Sequence, residues 1–147
     1  MSLEDGRYAI ITASPGVAPP PSPIGADVGS HEETPVVVNG TSQHWQFKKT
    51  ENGNYTITIE APNGAHLRSV ALGNDVFVDV KKEPHEWKVS AVKYPWKGYV
   101  IQLPEGGEHA VAWTIFSNGH GSPISLRPVE LMPTASQVWR INKIADE

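Results

Sequence analysis

The chain reads as an all-β protein assembled from three related units of four strands each. Three observations predict this. A Tyr-x-Ile triplet stands near the start of each third, as Tyr8-Ala9-Ile10, Tyr55-Thr56-Ile57 and Tyr99-Val100-Ile101. A Trp followed two positions on by an apolar residue stands near the end of each third, as Trp45/Phe47, Trp87/Val89 and Trp139/Ile141. The spacing is roughly 45 residues, a period typical of units that cannot bury an apolar face alone and stack to do so. Finally, 13 Gly and 13 Pro spread through 147 residues leave few stretches where a helix of several turns can form.

The elements follow in order from alternation and turn chemistry. In the first third, strands are expected near Arg7–Ala13, Ser22–Asp27, Pro35–Asn39 and Gln43–Lys49. In the middle third they are expected near Gly53–Glu60, Ala65–Leu72, Asp75–Val80 and Glu86–Ala91. Tyr55-Thr56-Ile57-Thr58-Ile59 and Val76-Phe77-Val78-Asp79-Val80 carry apolar side chains at every second position, the signature of half-buried strands. Asn63-Gly64 after Pro62 is a two-residue turn signal between the first two of these strands. In the last third, strands are expected near Gly98–Leu103, Ala110–Phe116, Ile124–Val129 and Gln137–Ile144, with Gly106-Gly107 as a turn. Twelve short strands in three groups of four predict a β-trefoil with pseudo-threefold symmetry. Six strands close a barrel, three hairpins cap one end, and the recurring Tyr, Ile and Trp line a shared core. Residues 1–147 would form one domain, with repeats at about 1–50, 51–92 and 93–147. A β-sandwich leaves the threefold recurrence unexplained.

Composition narrows the function classes. Hydrophobic residues at 39% and charged residues at 19% suit one ordinary core. A net charge of −4 with no Lys/Arg run argues against nucleic acid. No apolar stretch approaches the roughly 20 residues that span a bilayer, so no membrane partner is expected. The chain has no cysteine and hence no disulfide framework. Met1-Ser2-Leu3-Glu4-Asp5-Gly6 is acidic and lacks the apolar segment of a signal peptide, which predicts a cytoplasmic or intracellular protein. A monomer is expected.

Catalytic chemistry finds no foothold. His31, His44, His66, His85, His109 and His120 are scattered, none at metal-ligand spacing with a second His or Cys. There is no phosphate-binding Gly-rich loop and no Gly-x-Ser-x-Gly elbow. Glu4-Asp5 and Glu32-Glu33 read as solvated loop charges. No enzyme, metal or cofactor is predicted. Gln43-His44-Trp45 and Gln137-Val138-Trp139 form a Gln-x-Trp pattern that resembles that of ricin-B-like trefoil lectins, while the middle unit has His85-Glu86-Trp87. Such a Trp is either a sugar platform or a core residue whose Gln fixes the turn before the last strand. Symmetry-related aromatic residues favour the core. Asp27 and Asp75 could serve a lectin, but no aromatic recurs beside them. Trp96 and Trp113 fall outside the pattern, and Trp113 is expected in the core.

Function then falls to the loops. Ser14-Pro15-Gly16-Val17-Ala18-Pro19-Pro20-Pro21 joins the first two strands, and its prolines pre-set an extended backbone. Gly25-Ala26-Asp27-Val28-Gly29-Ser30-His31-Glu32-Glu33 is small, polar and flanked by Pro23 and Pro35.

The opening Ser2-Leu3-Glu4-Asp5-Gly6-Arg7-Tyr8, with Pro35-Val36-Val37-Val38 and Trp45, resembles the fungal trefoil protease inhibitors. These are the mycospins, which are cospin-like and act on serine proteases, and the mycocypins, which act on cysteine proteases. The resemblance implies a target protease as partner, serine ahead of cysteine. It implies that Val28, Gly29, Ser30, His31 and Glu32 enter the cleft, with Ser30 or His31 in the specificity pocket. Neither is Lys or Arg, which argues against trypsin. Mycocypin-like use would fall on Gly16 and Val17 and on Asn39, Gly40 and Thr41. Asn63 stands where some relatives engage legumain, although its Asn-Gly context is first a hairpin turn. Lys81 and Lys82 are a further candidate, most simply a solvated pair. Arg127 precedes Pro128, which blocks productive engagement. The alternatives are a ricin-B-like carbohydrate-binding lectin, a mycocypin-type cysteine protease inhibitor, and a scaffold without a specific ligand.

Overall fold

The computed structural model describes residues 3–12, 22–27, 33–61, 66–79, 85–93, 97–105, 110–115, 121–129 and 135–144. No helix occurs among them. The first third supplies β1 (Gly6–Thr12), β2 (Ile24–Gly25), β3 (Glu33–Pro35), β4 (Val37–Val38) and β5 (Trp45–Lys49). The middle third supplies β6 (Tyr55–Glu60), β7 (His66–Leu72), β8 (Asp75–Asp79) and β9 (Glu86–Val92). The last third supplies β10 (Gly98–Gln102), β11 (Val111–Thr114), β12 (Ser125–Pro128) and β13 (Trp139–Lys143).

Antiparallel pairing runs from β1 through β5, β6, β9, β10 and β13 and back to β1, so the sheet closes into a barrel. Closure leaves these strands no bare edge. The period-two pattern makes it possible: along β6, Tyr55, Ile57 and Ile59 are buried while Thr56 and Thr58 face outward. The register sets Tyr8 opposite Trp45, Tyr55 opposite Trp87 and Tyr99 opposite Trp139. The pairs β2–β4, β7–β8 and β11–β12 lie beyond the ring. They meet one another through Thr34↔Val78, Ser125↔Asp75 and the bridge Val37↔Pro123.

Trp45, Trp87, Trp113 and Trp139 are all fully buried. Trp113 stands edge-on to Trp87 at 5.3 Å and to Trp45 at 6.0 Å between ring centroids, a favoured arrangement of aromatic quadrupoles. Three indole N–H groups find acceptors on the second strand of their own third. Trp45 Nε1 donates to the Ile24 carbonyl at 3.1 Å and Trp139 Nε1 to the Trp113 carbonyl at 3.0 Å. Trp87 Nε1 donates at 2.9 Å to the Ser69 hydroxyl, which itself donates to the Ile57 carbonyl. Trp113 Nε1 is buried without a partner among the described residues.

One strand departs from expectation. Pro35–Asn39 divides into β3, which pairs with β8, and β4, which pairs with β2. The exchange happens at Val36, whose N–H donates to Val76 while its carbonyl accepts from Ile124. Pro35 has no N–H to continue the ladder, so the partner changes there at little cost. The other strands begin and end within two or three residues of their expected limits. The turns expected at Pro62-Asn63-Gly64 and Gly106-Gly107 lie outside the described residues.

Candidate functional site

The first-choice loop, Val28, Gly29, Ser30, His31 and Glu32, lies outside the described residues, as do Gly16, Val17, Asn63, Lys81 and Lys82. Their stems do not. Before the loop, Ile24 and Gly25 pair with Val38 and Val37, and Ala26 exchanges two backbone hydrogen bonds of 3.0 Å with Ser42. Gly25 is required by this approach, because a Cβ there would stand 1.9 Å from the Ser42 carbonyl oxygen. The chain returns through Asn39, held at φ +60°, a left-handed conformation that Asn tolerates better than most residues. Its N–H donates to the Pro23 carbonyl at 2.8 Å.

Asp27 is exposed, and its Oδ1 accepts from the Thr41 N–H at 2.8 Å. The base of loop 28–32 is thereby tied to the turn 39–41, another candidate of the first third. Within that turn Asn39 is half-buried, Gly40 buried and Thr41 exposed, so Thr41 offers its side chain outward. After the loop, Glu33, Thr34 and Pro35 pair with Asp79, Val78 and Phe77, and Thr34 is buried between two exposed neighbours. The two ends of the segment are thus fastened to different parts of the capping layer. Sequence reading named these loops but not the Asp27–Thr41 link, for which an acidic side chain at a loop base was the available signal.

The Gln-x-Trp residues serve the fold. Gln43 Nε2 donates to the Gly40 carbonyl at 2.9 Å, and Gln137 Nε2 donates to the Pro128 carbonyl at 2.9 Å and to Thr114 Oγ1 at 3.2 Å. Trp45 and Trp139 turn no ring face to solvent. Asp75 accepts from the Ser125 hydroxyl at 3.1 Å, and Trp96 lies outside the described residues. Arg127 is exposed on β12. Among the described residues, no three His, Asp or Glu side chains gather as metal ligands.

Two grooves on the barrel wall went unnoticed in the sequence. The first, of about 340 Å³, lies between residues 41–44 and Glu60-Ala61. Beside it, Arg7 Nε donates to Glu60 at 3.1 Å and Arg7 Nη2 lies 3.1 Å from His44 Nδ1. A guanidinium only donates, so His44 Nδ1 is the acceptor and the ring proton sits on Nε2. The second, of about 410 Å³, lies between Asn52, Asn54, His85 and Glu86 on one side and residues 103–105 on the other. Glu86 accepts from Thr50 at 2.8 Å and from Asn52 and Asn54 at 3.4 Å. The Thr50 bond, set against a smaller desolvation effect, holds its carboxyl below the usual glutamate range.

No protein-family model matches the chain, and no curated protein matches it in sequence. Solved structures do match. A proteinase inhibitor from Coprinopsis cinerea superposes with a TM-score of 0.74 at 12% identity, over 97% of this chain and 100% of that one. The Rhizoctonia solani agglutinin superposes with a TM-score of 0.70 at 16% identity, over 98% and 99%. Both are fungal proteins of β-trefoil type. What the chain shares with them is the fold. Cry35Ab1 shares it too, with a TM-score of 0.69 at 19% identity, although this chain spans only 37% of that protein.

Proposed function

We propose that this chain is a β-trefoil inhibitor of proteases, acting first on serine proteases through the loop at 28–32. The trefoil reading rests on three Tyr↔Trp registers that recur once per third around one closed barrel. The inhibitor reading draws on the full-length likeness to the Coprinopsis proteinase inhibitor and on the family-like opening of the chain.

The observation that carries it is the double anchoring of the segment. Asp27 is bound to the Thr41 amide on one side, and Glu33–Pro35 is bound to β8 on the other. A loop with both ends fixed loses less entropy when it enters a cleft, and an interface of ordinary size then suffices for tight binding. Ser30 or His31 fills the specificity pocket, which favours chymotrypsin-, elastase- or subtilisin-like targets over trypsin. The protein works as a monomer, without a cofactor.

Titration of pure protein against trypsin, chymotrypsin, subtilisin, elastase and papain tests the reading. Inhibition of a serine protease that weakens by tenfold or more in a Ser30→Gly/His31→Gly variant supports it. No inhibition of any enzyme at micromolar concentration removes it. Inhibition of papain alone transfers the role to the 39–41 turn, where Thr41 is exposed.

A further inference from the structure

Asn-Gly occurs four times in the chain, and two of these pairs, Asn39-Gly40 and Asn52-Gly53, fall within the described residues. Asn is a thermolabile side chain. It is most so before Gly, whose missing Cβ leaves the next main-chain nitrogen open to attack. The fold gives the two pairs opposite surroundings. Asn39 is half-buried with its N–H bound to the Pro23 carbonyl at 2.8 Å, and the carbonyl of the buried Gly40 is held by Gln43 at 2.9 Å. A Cβ on Gly40 would stand 2.5 Å from the Ala26 nitrogen, so this peptide has no room to turn. Asn52 and Gly53 are both exposed in the connection between the paired strands β5 and β6. Nothing lies within 4 Å of a Cβ on Gly53. The nitrogen that would react is held by one main-chain bond, from the Gly53 N–H to the Thr50 carbonyl at 3.1 Å.

Asn52 also points at a group that would register the change. Its Nδ2 lies 3.4 and 3.5 Å from the two Glu86 carboxylate oxygens, and Thr50 Oγ1 and Asn54 Nδ2 donate to the same carboxylate. These three residues fasten the hairpin to β9, the strand that carries Glu86. We propose that Asn52 is a site of self-modification, at which deamidation replaces a donor to Glu86 by a second carboxylate and loosens the hairpin from β9. The Gly53 nitrogen, its proton taken by solvent base, attacks Asn52 Cγ. A new C–N bond forms, the bond from Cγ to Nδ2 breaks, and ammonia leaves with a proton returned by solvent. Water then opens the succinimide at one of its two carbonyls. Opening at Cγ gives aspartate, and opening at the main-chain carbonyl gives isoaspartate, whose backbone runs through one extra carbon. Neither step is a redox step. Either product lacks the N–H that Glu86 accepted and sets two negative charges close together, where they repel. The open space around Gly53 accommodates the lengthened isoaspartyl backbone. An aged chain thereby becomes a substrate for enzymes that methylate isoaspartyl carboxyls.

Folded protein kept for days at mildly alkaline pH, then digested and mapped by fragment mass, tests this. Asn52 is expected to gain the mass difference between NH2 and OH at least tenfold faster than Asn39. The product should accept methyl groups from an isoaspartyl methyltransferase. In urea, where neither turn is held, the two residues should convert at similar rates. Asn52→Gln keeps an amide but must close a larger ring, so that position should stay unmodified. In the aged protein the Glu86 carboxyl, followed by carbon NMR, should titrate at higher pH than in fresh protein, and Asn52→Asp should reproduce the rise. Conversion of Asn39 as fast as Asn52 in the folded state overturns the proposal, as does the absence of conversion at Asn52. Conversion that leaves the Glu86 titration where it was overturns it too.

Discussion

The main-chain amide of Thr41 donates to the Asp27 carboxylate across 2.8 Å, fastening the turn after β4 to the residue that leads into loop 28–32. If that loop enters a protease, Asp27→Ala should raise the inhibition constant about tenfold, chiefly through faster dissociation. Asp27→Asn, whose amide oxygen still accepts, should recover most of the loss. The bond is exposed and worth only about 1 kcal/mol to the fold, so the melting temperature should barely move. Progress-curve kinetics beside thermal melts check both halves. An unchanged inhibition constant in Asp27→Ala would remove this residue from any positioning role.

Close backbone approach makes Gly25 far less replaceable than Gly53. A Cβ at Gly25 meets the Ser42 carbonyl oxygen at 1.9 Å, and backbone cannot swing aside as a side-chain tip can. Gly25→Ala is expected to cost about 3 kcal/mol. At Gly53 the backbone has φ +82° but nothing lies within 4 Å of a Cβ, so Gly53→Ala should cost only about 1 kcal/mol of conformational strain. Urea denaturation of the two variants gives the comparison.

The central indoles should differ in how they tolerate replacement. Trp45→Phe leaves the buried Ile24 carbonyl without its donor, whereas Trp113→Phe removes an N–H that has no partner among the described residues. Trp45→Phe should therefore be the more destabilising by about 1–2 kcal/mol. Equal or reversed losses in chemical denaturation would show that packing around Trp113 outweighs hydrogen bonding.

Glu86 should make the fold acid-sensitive. The Thr50, Asn54 and Asn52 hydrogen bonds hold its folded-state carboxyl below the ordinary glutamate value. Its contribution is therefore fully present above the unfolded value and fades as pH falls through the folded one. Glu86→Gln should be less stable than the native chain at neutral pH. The gap should close in acid below the folded-state value, as read by denaturant midpoints across a pH series. A gap that does not change with pH would assign the loss to packing instead.

Much of the barrel was legible because recurrence and alternation are local signals. Tyr55 to Glu60 announces its buried face without reference to any partner, and Gln43 and Gln137 hold the turns as their position before Trp suggests. The division of Pro35–Asn39 was not legible, since Val36, Val37 and Val38 suit a strand equally well whichever neighbour they pair with. Nor were the grooves. Arg7 and Glu60 stand 53 residues apart, and only the pairing of both β1 and β6 with β5 brings their charges together. Asp27 could be offered only as an acid for a lectin site, because the Thr41 amide that it binds comes from a different strand connection. Trp113 was foreseen in the interior, but its N–H differs from the other three for a reason that no spacing encodes: the second strand that supplies their acceptors is its own.

Pairing of β1 with β13, Tyr8 with Lys143 through Thr12 with Trp139, carries a consequence for biosynthesis. β1 leaves the ribosome long before β13 and must wait for it before the cylinder can shut, so no nascent fragment that lacks β13 gains a complete interior. A chain cut short before Trp139 would strand β1 and β10 with unsatisfied amides along their flanks. Such flanks recruit copies of themselves, and truncated products should therefore aggregate rather than persist as smaller soluble proteins.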